Sequence, residues 1–198
     1  MKTKPLILTF VCVGNKNRSP FSQFFFRKLM DERDKELSNM VEITSAGFVP
    51  QAVRASFAQL NISFPEPFFN RPISKMTETI LHQKGIAVAP QWRTKELTPK
   101  MVEEATLIIT ALPMQKDELL MLYPEAEGKI FSVREMAACD EYLVFEDFDF
   151  DGLPQDNTYW DYVEENPEYI TRVVSEIENL LVHSYPYIIE KLTNRSTA

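Results

Sequence analysis

Eight residues near the start of the chain, Leu6-Ile7-Leu8-Thr9-Phe10-Val11-Cys12-Val13, are apolar at both parities with a single threonine among them. A strand with one wet face alternates; a run that does not alternate reads as a parallel strand covered on both faces. Gly14 and Asn15 end it, Pro20 suits a first helical position, and Phe21, Phe24, Phe25 and Leu29 recur at helical spacing. The pattern is strand, tight loop, helix.

The same alternation continues downstream. Val41 to Ala46 reads as a second strand stopped by Gly47, Ala105 to Thr110 as a third, and Lys129 to Val133 as a short fourth. Between them, Ile73, Met76, Ile80 and Leu81 mark a helix that Gly85 can end, Thr98-Pro99 reads as an N-cap and first turn, and Lys116 to Tyr123 reads as helical. Ile170, Val173, Val174, Ile177, Leu180 and Leu181 mark a long terminal helix with a kink expected at Pro186. The expected fold is α/β: a three-layer sandwich with a central four-stranded parallel sheet and helices on both faces, in one domain over residues 1–198. The stretch from about 48 to 71 breaks the pattern: only Val53, Phe57 and Leu60 suggest a short helix, amid phenylalanines and Pro50, Pro65 and Pro67.

Composition narrows the functional classes. The formal net charge is −8, with acids clustered between Asp140 and Asp151, so nonspecific binding to nucleic acid or to an anionic membrane is disfavoured. An anionic substrate must then be captured by a local positive site. No apolar run approaches the roughly 18 residues of a spanning helix, and no cleavage site follows the first residues, so the expected location is cytoplasmic. Two cysteines, Cys12 and Cys139, are too few for a disulfide framework. His82 and His183 lack metal-ligand spacing and are expected on the surface.

The chemistry is concentrated in Cys12-Val13-Gly14-Asn15-Lys16-Asn17-Arg18-Ser19. Ligands of open parallel sheets bind beyond the carboxyl ends of the strands, where this segment lies. Backbone N–H groups in such a loop can converge on one anion, and the following helix N-terminus adds positive potential. Gly14 permits close backbone approach and Asn15 tolerates a left-handed conformation. These dipoles and Arg18 favour a nucleophilic thiolate at Cys12, while the Arg18 fork can hold two phosphoryl oxygens at once. Ser19 can donate to the sulfur. The loop lacks the terminal glycine-lysine pair of a nucleotide-binding P-loop.

A cysteine and an arginine separated by five residues, with Gly-Asn between and Ser-Pro after, resembles the signature of the low-molecular-weight protein tyrosine phosphatases. Ser45-Ala46-Gly47, Leu97-Thr98 through Ile109-Thr110 and the terminal helix extend the resemblance, leaving about 48–71 as an insertion that reads as a lid, a substrate platform or an oligomer contact. The resemblance implies hydrolysis of phosphotyrosine or another aryl phosphate through a cysteinyl-phosphate, with no cofactor and no metal. Cys12, Arg18 and a late-loop acid would be catalytic. Val13, Gly14, Asn15, Lys16, Asn17, Ser19 and Ser45 would bind phosphate, or a sulfate in its place. The acid is matched to Asp156, with Asp151 and Asp149 as neighbours that could serve instead; the expected proline after it is Asn157. Tyr159 and Trp160, and Phe48 after Gly47, are candidate walls for an aromatic leaving group. The family's second loop cysteine is here Asn17.

Two other readings remain open at this level. An arsenate reductase would use the same nucleophile but needs further thiols, and only Cys139 is left. A noncatalytic module would dock phosphorylated partners without turning them over.

Overall fold

The computed structural model describes residues 5–137, 153–156 and 158–194. Four strands, β1 (Leu6–Cys12), β2 (Val41–Gly47), β3 (Leu107–Thr110) and β4 (Ile130–Ser132), form one parallel sheet in the order β2-β1-β3-β4. Strand order reverses beside β1, so the crevice at such a switch point opens at the carboxyl end of β1. Cys12 is that end.

The strands carry apolar residues at both parities because two layers cover them. Leu8 and Phe10 of β1, with Leu107 and Ile109 of β3, pack into one core. On that face lie α1 (Arg18–Arg33), α4 (Lys75–Gln83) and the terminal α9 (Pro167–Asn194). Val11, Ile108 and Ile130 pack instead with Val102 of α5 (Pro99–Glu104) and Leu119 of α6 (Pro113–Leu122) on the opposite face. The three-layer α/β sandwich expected from the alternation is the observed architecture.

Several boundaries differ from the expectation, each for a local reason. Helix α1 begins at Arg18, which puts Pro20 at its third position, still within the turn whose N–H groups have no helical partner. Helix α6 starts at Pro113, three residues before the expected Lys116, with proline in its first turn. The terminal helix runs unbroken as one element through Pro186. The helices α2 (Lys35–Met40), α7 (Val133–Met136) and α8 (Tyr159–Glu165) were not anticipated. Each has a cue at its start: Asp34 accepts from the Leu37 amide, Ser132 and Glu135 form a reciprocal capping box, and Thr158 precedes α8. Among the described residues no helix is long and apolar enough to cross a membrane.

The excursion after β2 contains α3 (Gln51–Gln59), whose Val53 and Phe57 are buried as their spacing suggested. It returns to the body where Asn70 and Arg71 pair with Thr94, and where the Ser74 amide donates to the Lys16 carbonyl at 3.2 Å. The excursion therefore lies against the loop that follows Cys12.

Candidate active site

Cys12 is almost fully buried at the end of β1, and the chain bends through residues 13–17 before entering α1. Asn15 occupies the left-handed region at φ 54, as its residue type allows. It is also the brace of the loop: its Nδ2 donates to Ser19 Oγ at 2.9 Å and Ser45 Oγ at 3.0 Å, and its Oδ1 accepts from the Lys95 amide at 3.0 Å. Ser45 sits behind the loop, not in the cleft, and donates onward to Gln23 Oε1 at 2.6 Å.

Ser19 Oγ lies 3.0 Å from Cys12 Sγ and 3.2 Å from the Ala46 carbonyl oxygen. A hydroxyl has one hydrogen, so it serves one of these acceptors at a time. When Cys12 loses its proton, the sulfur becomes a charged acceptor and draws that hydrogen.

Asn17 is the N-cap of α1 but makes no side-chain cap bond. Its Oδ1 accepts from Thr77 Oγ1 at 2.8 Å and its Nδ2 donates to the Val163 carbonyl at 2.8 Å. The asparagine thus ties the loop to α4 and α8, where a cysteine could not make both bonds.

The loop floors a cleft of about 550 Å³, counting its open mouth, with Cys12, Val13, Gly14, Lys16, Asn17 and Arg18 at the base. Phe57, Tyr159, Trp160 and Tyr169 supply ring walls. The Phe57 ring centroid is 4.9 Å from Tyr159 and 5.3 Å from Trp160, and Trp160 Nε1 donates to the Ser63 carbonyl at 2.8 Å. The excursion therefore builds one wall and holds α8, the source of the other. Burial pushes the Tyr159 and Tyr169 phenols up to about 12 against the opposing charge of Arg18, so both stay neutral at ordinary pH.

Phe48 does not wall the cleft. It packs with the α5–α6 core, its carbonyl accepting from Gln115 Nε2 at 2.8 Å, because its amide still bonds the Cys12 carbonyl as the β1–β2 ladder continues, which keeps it on the face of Ala46 two residues earlier. Gly47 is wedged: a Cβ there would lie 2.8 Å from the Val13 carbonyl oxygen and against the Phe69 ring. Gly47→Ala is expected to destabilise the fold by about 2 kcal/mol, within the usual range for overpacking. A urea midpoint equal to wild type would show that this junction yields freely.

Lys16 meets Glu164 at 3.2 Å, and Arg71 grips the same carboxylate through both terminal nitrogens at 2.8 Å each. Burial lowers the Lys16 pKa; Glu164 opposes that shift and neighbouring Arg71 adds to it. One largely buried carboxylate thus serves two cations.

Asp156 is exposed and outside the cleft lining. Its Oδ1 accepts from the Thr158 amide at 2.8 Å and the Thr158 hydroxyl at 2.6 Å, and the hydroxyl bond chiefly holds its carboxyl below the usual range. Cys139, Asp149, Asp151 and Asn157 lie outside the described residues. His82 and His183 are exposed, as their sequence context suggested. The sequence reading missed Phe57, Glu164 and Tyr169 as cleft residues. Phe57 was legible only as an apolar position on a short helix, Tyr169 was not singled out, and nothing local to Glu164 announces that it faces a loop nearly 150 residues earlier.

The geometry has relatives. A protein-arginine-phosphatase of Geobacillus stearothermophilus is 28% identical over 134 residues, covering 68% of this chain and 73% of that protein. Among solved structures, a YwlE arginine phosphatase mutant with a phosphorylated active-site serine superposes with a TM-score of 0.63 at 20% identity, over 94% of this chain and 97% of the other. The low-molecular-weight protein tyrosine phosphatase of T. tengcongensis gives 0.58 at 24% identity, over 94% and 99%. This is the low-molecular-weight protein tyrosine phosphatase fold. No family model matches the chain. The two solved relatives of the fold share it while bearing different substrate names, one arginine and one tyrosine, so the fold leaves the leaving group open.

Proposed function

We propose that this chain is a phosphatase that hydrolyses phosphotyrosine, or a comparable aryl phosphate monoester, through a phosphocysteine at Cys12. The observation that carries the reading is the cleft: a buried thiol 3.0 Å from a serine hydroxyl, an arginine beside it, and ring walls above. Cys12 thiolate attacks phosphorus while the bond to the leaving oxygen breaks. Arg18 and the loop amides hold the equatorial oxygens as charge shifts. Asp156 gives the leaving oxygen its proton. For that, the Asp156 carboxyl must leave its bonds to Thr158 and come over the cleft. Water then attacks phosphorus, and phosphate leaves with Cys12 restored as thiolate. The active-site serine found phosphorylated in the YwlE mutant supports a phosphoryl group bonded at the corresponding loop position.

Phosphoarginine is the second reading, favoured by the curated relative. A guanidinium leaving group is cationic and requires an anionic neighbour. Among the described residues the one carboxylate lining the cleft is Glu164, which already serves Lys16 and Arg71, and Asp156 enters the proposed mechanism as a proton donor. A neutral aryl group asks for no such partner and stacks on the rings. The test compares kcat/KM for a phosphotyrosine peptide and the same peptide carrying phosphoarginine. At least a tenfold preference for phosphotyrosine is expected, and the reverse order overturns the aryl assignment.

A further inference from the structure

A second groove adjoins the cleft and shares two residues with it, Lys16 and Glu164. It encloses about 1050 Å³ including its open mouth and is walled by the segment from Arg71 into the first turn of α4, facing the end of α8. Three cations line it, Lys16, Arg71 and Lys75, against two carboxylates, Glu164 and Glu165. Lys16 and Arg71 both lean on Glu164, at 3.2 and 2.8 Å, and the Arg71 charge works against the Lys16 charge. Lys75 adds an exposed ammonium at the rim. In a chain of net charge −8, this is a local positive region immediately beside the phosphate loop. A group entering here is best matched if it carries negative charge, since the lining holds three cations against two carboxylates.

Resting on the proposed phosphatase reading, we propose that this groove is a specificity subsite that takes the carboxylate of an aspartate or glutamate flanking the phosphorylated residue of a peptide substrate. The scissile phosphate occupies the Cys12–Arg18 loop, and the acidic side chain reaches past Lys16 toward Arg71 and Lys75. Because the groove lies to one side of the cleft, the acid is selected on one side of the phosphotyrosine only.

The test uses phosphotyrosine peptides with a single aspartate, or its asparagine counterpart, at each of the three positions on either side, assayed at low ionic strength. In the wild-type protein kcat/KM is expected to favour aspartate over asparagine about fivefold at the preferred position, the upper end for a partly exposed ion pair. Added salt shrinks the ratio. In Lys75→Glu the same ratio falls to one or below. The ratio is taken within each variant, so it does not depend on how much of that variant is folded and active. A wild-type ratio of one at every position, or a preference that survives both salt and Lys75→Glu, overturns the subsite while leaving the phosphatase reading standing. Failure of the wild-type protein to turn over either a phosphotyrosine peptide or p-nitrophenyl phosphate overturns both.

Discussion

Cys12→Ser is expected to lower steady-state hydrolysis of aryl phosphates by roughly 10⁴–10⁶-fold, the scale on which removal of a nucleophile acts in a hydrolase. Two steps lose at once. A serine hydroxyl at neutral pH is a far weaker nucleophile than a thiolate, so attack on phosphorus slows. Any phosphoserine that does form is an ordinary alkyl phosphate whose oxygen leaves far less readily than a thiolate, so the second step stalls. The variant should therefore gain the mass of one phosphoryl group on incubation with substrate, confined to position 12. The fold should persist, because serine is a near isostere and the Ser19 hydroxyl remains beside it. Circular dichroism and the urea midpoint check that. Turnover by Cys12→Ser within tenfold of wild type would exclude the cysteinyl-phosphate mechanism.

The second large effect concerns the proton donor. Asp156→Asn is expected to slow hydrolysis of esters with poor leaving groups, such as phosphotyrosine, by roughly 10²–10⁴-fold, the range of general acid catalysis. Esters whose leaving group is a stable anion, such as p-nitrophenyl phosphate, should be affected far less, because such a group departs without a proton. Asp151→Asn should show no such dependence. The placement of Asp156 makes the experiment sharp. It is an exposed carboxylate held by Thr158, with its pKa below the usual range because those bonds favour the charged form. It can act as an acid only after it leaves those bonds. A steep leaving-group dependence in Asp151→Asn, with a flat one in Asp156→Asn, would move the donor to Asp151 and leave Asp156 as a cap.

Legibility in the sequence followed how local each signal was. The four strands were readable because β1 and β3 are apolar at both parities, which only a strand covered on both faces requires. The phosphate loop was readable because its parts are contiguous. By contrast, α8 was passed over: at Tyr159–Glu165 it is short, and its aromatic start looks like a loop base in one dimension. Phe48 was misread for a related reason. Its position after Gly47 suggested the cleft, but the β1–β2 ladder continues through the Phe48 amide, and strand alternation puts the ring on the face of Ala46, in the opposite core. Asn17 could be seen as a departure from the family's loop, whereas its bonds to Thr77 and the Val163 carbonyl join positions 60 and 146 residues away.

The sequence by itself determined the four-stranded sheet, the longer helices and a loop in which a thiol, backbone amides and an arginine surround one small volume. Those features depend on hydrophobic period and on residues within one turn of each other, and both are written along the chain. Only the tertiary structure decided what surrounds that loop. It brought Phe57 from the excursion after β2 against Tyr159 and Trp160 of α8, set Glu164 between Lys16 and Arg71, and opened the cationic groove beside the cleft. These are contacts between segments separated by tens to more than a hundred residues. Each becomes favourable only after the sheet and the long helices have already met the entropic cost of bringing those segments together.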